Sequence, residues 1–299
     1  MAYLIACGLA LSGLWVYRRQ RHQSRRTCAT GYFGVDEFED LNSGLYHDTR
    51  HPVMVAELLD QMAQGWGIGE ERRQFLVEVA LIHDADPRRL ECGTVQRGTP
   101  ARVPVTLAWM EDNLDLLERK FGWTHQHVKE AMALVARTDF PFFPEVRRSF
   151  GTRFDELDPV ATYRLLLEEL APDRRAQVMV EALLLRFADQ LAYYVGSFGE
   201  AAESLCRLAS EFHNAGRPVG LGCMWNQTVD FLNTVGTDLE YDHQVASRVG
   251  LDGLALPNRG ELLGCLSRRQ RRNLHHNIGR FQSSQSVGWR LTGKTLSRR

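Results

Sequence analysis

The chain has 299 residues, 44% hydrophobic and 24% charged, with 36 Lys and Arg against 37 Asp and Glu for a formal net charge of −1. That balance supplies apolar material for a sizeable core and excludes a chain disordered throughout; a charge so close to zero excludes a global field favouring nucleic acid, leaving only local basic clusters. The six cysteines (Cys7, Cys28, Cys92, Cys206, Cys223, Cys265) are scattered without a Cys-x-x-Cys pair, which argues against a zinc knuckle, a thioredoxin-type pair or a disulfide framework and fits a reducing compartment.

In chain order, the first feature is an uncharged block from Ala2 to Tyr17 running straight into Arg18, Arg19, Arg21, Arg25 and Arg26. A spanning helix wants about 20 apolar residues, so the block is slightly short, but Trp15 and Tyr17 suit an interface and arginines can snorkel. Residues 1–17 are therefore expected as a single transmembrane anchor and 18–35 as a basic juxtamembrane linker. Because the positive charge follows the apolar stretch instead of preceding it, the block does not resemble a cleaved secretory signal. The positive-inside rule then puts the rest of the chain on the cytoplasmic side of the membrane. The alternative is a helix packed on the domain or an early start codon.

From 36 to 266 apolar residues recur at three- and four-residue intervals, which predicts an all-α domain. Val53, Val55, Leu58, Leu59 and Met62 make one stripe. Phe75, Val77, Val79, Leu81 and Ile82 make a nearly all-apolar run, expected to be central, that ends at His83-Asp84. The stretch 86–104 is rich in Gly, Pro, Arg and Thr and reads as a surface loop, with Arg88, Arg89, Arg97 and Arg102 placed to guide an anion. Leu107 to Leu117 defines one further helix, and another around Val128 to Val135 stops near Thr138-Asp139-Phe140-Pro141. A long helix is expected from about Arg174 to Val195 and another from Glu200 to His213. The last segment, 267–299, has no acidic residue and nine Lys or Arg, and reads as a basic, partly disordered tail that either is simply solvated or makes an electrostatic contact with anionic lipid or RNA. Specific nucleic-acid binding is not expected.

Chemistry gathers at three places. His83-Asp84 closes an apolar helix, an expensive position for two polar groups without partners. A metal ion is one partner, and a helix-terminal hydrogen-bonded pair is the other reading. Upstream, Tyr46-His47-Asp48-Thr49-Arg50-His51-Pro52 sets two histidines four apart at a helix start, with Asp48 or Thr49 as N-cap. Downstream, Asp189 follows the apolar run 182–188. Three helices thus each bring a ligand-type side chain toward the interior.

In order and spacing, Tyr46-His47-Asp48-Thr49-Arg50-His51, His83-Asp84, Thr138-Asp139 and Ala188-Asp189 resemble the HD-domain metal-dependent phosphohydrolases, and among them the class I cyclic-nucleotide phosphodiesterase type, over roughly residues 45–235. The resemblance implies an all-α HD-type helical bundle. It implies His51, His83, Asp84 and Asp189 as metal ligands, with Asp84 bridging toward a second ion, and His47 as general acid. One or two divalent ions (Zn, Mn, Fe or Mg) would activate a hydroxide to attack phosphorus. Gln227 and Phe231 correspond to a base-reading glutamine and its stacking aromatic, and Arg50 to a substrate contact. Pro87 stands where that family usually has a histidine for the second ion, and Asp48 where it has an asparagine. The function expected is hydrolysis of a cyclic-nucleotide phosphodiester; the alternatives are a nucleotide phosphomonoesterase and a catalytically degenerate HD module that binds a nucleotide or a partner.

Overall fold

A computed structural model of the chain describes residues 42, 44–86, 103–139, 153, 158–214 and 220–295, with side chains described as far as 284. The expected membrane anchor and linker, the arginine loop after Asp86, and Pro87 lie outside the described residues. Among the described residues there are twelve helices and no strand, and no helix is long and apolar enough to cross a membrane.

Helix α1 (Arg50–Gly65) and helix α2 (Glu70–Ile82) form a tight helical pair. The start of α1 is held by Asp48, whose Oδ1 accepts the Arg50 backbone N–H at 3.0 Å, while Thr49 makes no side-chain cap. The reversal between the helices needs Gly67 at φ 82°, a left-handed conformation in which a Cβ would be strained. The stripe Val53, Val55, Leu58, Leu59 and Met62 is buried as its spacing predicts, and so are Phe75, Val79, Leu81 and Ile82 from α2.

Helix α3 (Val103–Asp112) and helix α4 (Leu114–Phe121) replace the single helix expected across Leu107–Leu117. The chain leaves helical geometry at Asn113 (φ −118°, ψ 35°), whose side-chain amide donates to the Trp109 carbonyl at 2.8 Å. An asparagine able to satisfy a backbone carbonyl locally competes with the helix, and apolar spacing alone does not register that. Helix α5 (His125–Ala136) opens with a capping box between Thr124 and His127. Helix α6 (Pro159–Glu168) opens with Asp158 as N-cap and Pro159 in the first turn.

Helix α7 (Pro172–Leu191) is the axis of the molecule. From Val178 to Ala188 nearly every residue is buried, because α1 packs on one side and α5 on another. Its polar residues are satisfied by partners from elsewhere: Glu181 accepts from Arg72 at 2.5–3.1 Å, and Arg186 donates to Asp238 at 2.5 and 2.9 Å. Helix α8 (Phe198–Asn214), helix α9 (Leu221–Thr234), helix α10 (Glu240–Arg248) and helix α11 (Arg259–Gly264) follow, with α8 packed on α9 and α10 packed on α6 and α7. A fully buried, two-pronged ion pair, Arg137 to Asp242 at 2.7 and 2.6 Å, ties the end of α5 to α10.

The segment expected to be a basic tail is instead helix α12 (Arg268–Thr295). It packs on α8 and α9 through Leu274, Asn277 and Phe281, all buried. Phe281 meets Trp225 edge-on with ring centres 4.7 Å apart, and Asn277 Nδ2 donates to the carbonyls of Tyr194 at 2.8 Å and Gly196 at 3.2 Å. Over 268–284 the expected basic, partly disordered tail is packed helix. Three inward residues at helical spacing suffice to dock the segment, and the arginines Arg268, Arg269, Arg271, Arg272 and Arg280 occupy the exposed side.

Candidate metal centre

Three helix ends meet at one point. His51 sits in the first turn of α1, His83 and Asp84 follow the last turn of α2, and Asp189 lies in the last turn of α7. Apolar packing of these helices fixes where their ends fall, so the polar residues are placed by the core behind them.

Four donor atoms converge there. His51 Nε2 is 2.9 Å from Asp189 Oδ1 and 3.2 Å from Asp84 Oδ2; His83 Nε2 is 3.4 Å from Asp189 Oδ1 and 3.2 Å from Asp84 Oδ2. All four atoms lie within 4.8 Å of one another. Ligands about 2.0–2.1 Å from a common ion stand roughly 2.8–3.4 Å apart along the edges of an octahedron or tetrahedron, and the four histidine–carboxylate distances fall in that range. Both histidines are fully buried. The group can hold a metal ion.

The tautomer of His83 supports that fit. Its Nδ1 lies 2.7 Å from the Ala80 carbonyl oxygen, an acceptor only, so Nδ1 carries the hydrogen and donates. Nε2 then points at two carboxylates and must be capped by a proton or a cation. It and Asp84 Oδ2 are buried with no hydrogen bond of acceptable geometry. His51 is held by its Nε2 contact with Asp189 Oδ1 at 2.9 Å and by packing: Tyr193 stacks on it at 5.7 Å with the planes 21° apart, and Tyr46 and His83 lie 5.0 and 5.3 Å away.

Electrostatics say the same thing in protons. Burial works against a charged His51, but the Asp189 and Asp84 carboxylates outweigh it and hold the imidazole up at about 9. Against burial, the same pair raises His83 well above its usual value. The carboxylates respond in the opposite direction: burial is overcome by His51 and His83, which bring Asp189 down to about 2, and by His83 and His47, which hold Asp84 well below the carboxylate range. With no cation bound, two imidazolium groups therefore serve as the counter-charge for two carboxylates.

His47 stands at the edge of this group, its Nε2 3.9 Å from Asp84 Oδ2. Its Nδ1 meets Glu211 Oε2 at 2.7 Å, and Glu211 Oε1 accepts the backbone N–H groups of Tyr46 at 2.7 Å and His47 at 3.1 Å. Glu211 has no solvent exposure. The expectation from sequence did not include Glu211 as a partner of His47, nor Tyr193 as the wall beside His51. The first sits 164 residues away on the amphipathic α8, and only the cost of burying a glutamate on an inward position hinted at a partner.

Other expected residues fall elsewhere. Gln227 is exposed on α9; Phe231 is partly buried against the core, its ring 6.1 Å from Tyr194. Arg50 pairs with Asp48 at the rim of the centre. Asp86 is buried, and Thr138 closes the end of α5 by donating to the Val135 carbonyl at 2.8 Å, followed by a half-buried Asp139. The remaining histidines of the described residues, His125, His127, His213, His243, His275 and His276, lie outside the group.

Fold and site together define an all-helical protein with a buried centre of two histidines and two carboxylates. No family model, no curated protein and no solved structure matches the chain.

Proposed function

We propose that the chain is a metal-dependent phosphoric ester hydrolase of the HD type, acting on a nucleotide phosphodiester, with a cyclic nucleotide as the first candidate. The observation that supports it most is the convergence of His51 Nε2, His83 Nε2, Asp84 Oδ2 and Asp189 Oδ1, with the His47–Glu211 pair 3.9 Å from that group. A set of two imidazoles and two carboxylates suits Zn, Mn or Fe better than Mg. An ion bound there supplies a water of lowered pKa and a positive centre for phosphate oxygens.

The chain's own residues do the rest. Glu211 engages His47 Nδ1 and fixes the ring, which leaves Nε2 facing the site to pass a proton to the departing oxygen of the ester. Tyr193 and Tyr46 close the side of the site behind His51 and keep water from the ligand ring. A phosphomonoester is the second reading. It is favoured by a single donor group among the described residues.

The test is hydrolysis of cyclic AMP, cyclic GMP, bis(p-nitrophenyl) phosphate and nucleoside monophosphates with added Mn or Zn, beside His83→Ala. Cleavage of a diester that disappears with His83→Ala or with chelator supports the proposal. Cleavage of monoesters alone moves the assignment to the second reading, and metal uptake without any turnover leaves a nucleotide- or partner-binding module.

A further inference from the structure

Asp48 follows the proposed acid His47 directly, and a carboxylate there would repel an anionic substrate if nothing offset it. The structure puts two guanidinium groups on it. Asp48 Oδ2 accepts from Arg50 Nε at 2.7 Å and Nη2 at 2.5 Å, and from Arg207 Nη1 at 3.3 Å. Its other oxygen is occupied by the α1 backbone, so the carboxylate cannot swing away without releasing the helix start.

Arg207 lies one helical turn before Glu211 on α8. One face of that helix therefore delivers a carboxylate to His47 and a guanidinium to Asp48. Arg50 comes from the residue directly before the ligand His51. The two arginines and Asp48 are only partly covered, with side-chain exposures of 31%, 23% and 23%.

Arg50 and Arg207 are balanced in formal charge by Asp48 and Glu203, so what the cluster offers an anion is hydrogen-bond donors and not a net charge. Glu203 pairs with Arg207 Nη2 from a side chain 58% exposed, where water screens it. Among the described residues, Arg50 Nη1 and Arg207 Nε make no hydrogen bond, so each fork retains a donor. Partly exposed guanidinium groups with donors to spare, fixed by a shared carboxylate, are suited to phosphate oxygens.

We propose that Arg50 and Arg207, held by Asp48 beside the His47–Glu211 pair, form an anion subsite that takes a phosphate oxygen of the substrate. This rests on the phosphohydrolase reading and deepens it, since it assigns one oxygen of the substrate phosphate to the two arginines. Asp48 is a positioning residue in this arrangement.

The test uses the full chain and inorganic phosphate as probe. Mn content and melting temperature are measured for the parent, Arg207→Gln, Arg207→Lys and Arg50→Gln, and phosphate binding is titrated calorimetrically with and without Mn. A lost charge-assisted contact weakens phosphate about tenfold in Arg207→Gln and in Arg50→Gln, with Mn content unchanged and part of the loss restored in Arg207→Lys. Unchanged phosphate affinity beside a lowered melting temperature overturns the subsite and leaves a clasp between α8 and the start of α1. Should Arg207→Gln not fold, Arg50→Gln carries the same comparison. If the parent takes up no Mn, the hydrolase reading fails, while the subsite is still decided on metal-free protein: weaker phosphate binding in the variants supports it and equal binding refutes it.

Discussion

His83 Nδ1 lies 2.7 Å from the carbonyl oxygen of Ala80, one turn earlier in the same helix end, and this contact fixes which nitrogen of His83 faces the centre. With Nδ1 committed to the backbone, Nε2 is aimed at Asp84 and Asp189, and only a proton or a metal ion reconciles a lone pair with two carboxylates. The same contact orients the ring for a ligand role, as second-shell hydrogen bonds do for metal-bound histidines.

That competition between proton and ion sets a pH dependence. In metal-free protein, His51 is raised to about 9 from an ordinary value of 6.5, so its stabilising contribution is complete below about pH 6.5 and is lost as pH rises toward 9. Asp189 is lowered to about 2, so its contribution is present above roughly pH 4 and is lost as pH falls toward 2. Chelator-treated protein is expected to melt highest between about pH 4 and 6.5 and progressively lower from 6.5 to 9. Metal affinity should rise over that same alkaline window, with protons released on binding, because the ion must displace them. Melting curves at fixed ionic strength and proton release in weakly buffered solution check both halves; a melting temperature flat from pH 6.5 to 9 in chelator contradicts the assignment.

Glu211→Gln preserves the size of the side chain while removing the anion beside His47. For a substrate with a strongly basic leaving group, turnover should fall by about 10²-fold, the lower end of what proton transfer to a leaving group contributes. A p-nitrophenyl ester, whose leaving group departs without a proton, should be affected far less. Comparing kcat for the two substrates in the parent and Glu211→Gln separates a role in proton transfer from simple loss of fold, which would depress both equally.

Much of this site is legible in the sequence, for a physical reason. His83-Asp84 and Asp189 each follow apolar runs whose burial is forced, so their polar groups have to be carried inward, and the spacing of His47 and His51 puts both near the start of one helix. What could not be read was which distant residues satisfy them. Glu211, Arg207 and Tyr193 arrive from the end of α7 and from α8, and their contacts with the loop before α1 are fixed by tertiary packing, which leaves no local period in the sequence.

Arg137 makes the same point in the core. An arginine at a helix end reads as a surface residue, yet it has no exposure and is paired with an equally buried Asp242. Asp242→Asn removes the carboxylate charge from that buried pair and is expected to cost about 3 kcal/mol, measured by urea unfolding. Replacing both residues with apolar side chains of similar volume should cost less than the single change.

Helix α12 escaped the sequence reading because only Leu274, Asn277, Ile278 and Phe281 interrupt a polar and basic stretch, too few to dominate its composition. Phe281 is fully buried against Trp225, Phe198 and Tyr194. Phe281→Ala is expected to destabilise the protein by about 3 kcal/mol, in the range for emptying a buried aromatic site. A change within a few tenths of a kcal/mol would return 268–284 to the status of a tail.

The most direct test of the central claim is metal content. Full-length protein reconstituted with Mn or Zn, dialysed and analysed by elemental mass spectrometry should retain close to one ion per chain, raise its melting temperature over the chelated form, and lose the ion in Asp189→Asn while remaining folded. Folded parent protein that retains no ion, or Asp189→Asn that retains as much as the parent, would contradict the assignment of His51, His83, Asp84 and Asp189 as a metal centre.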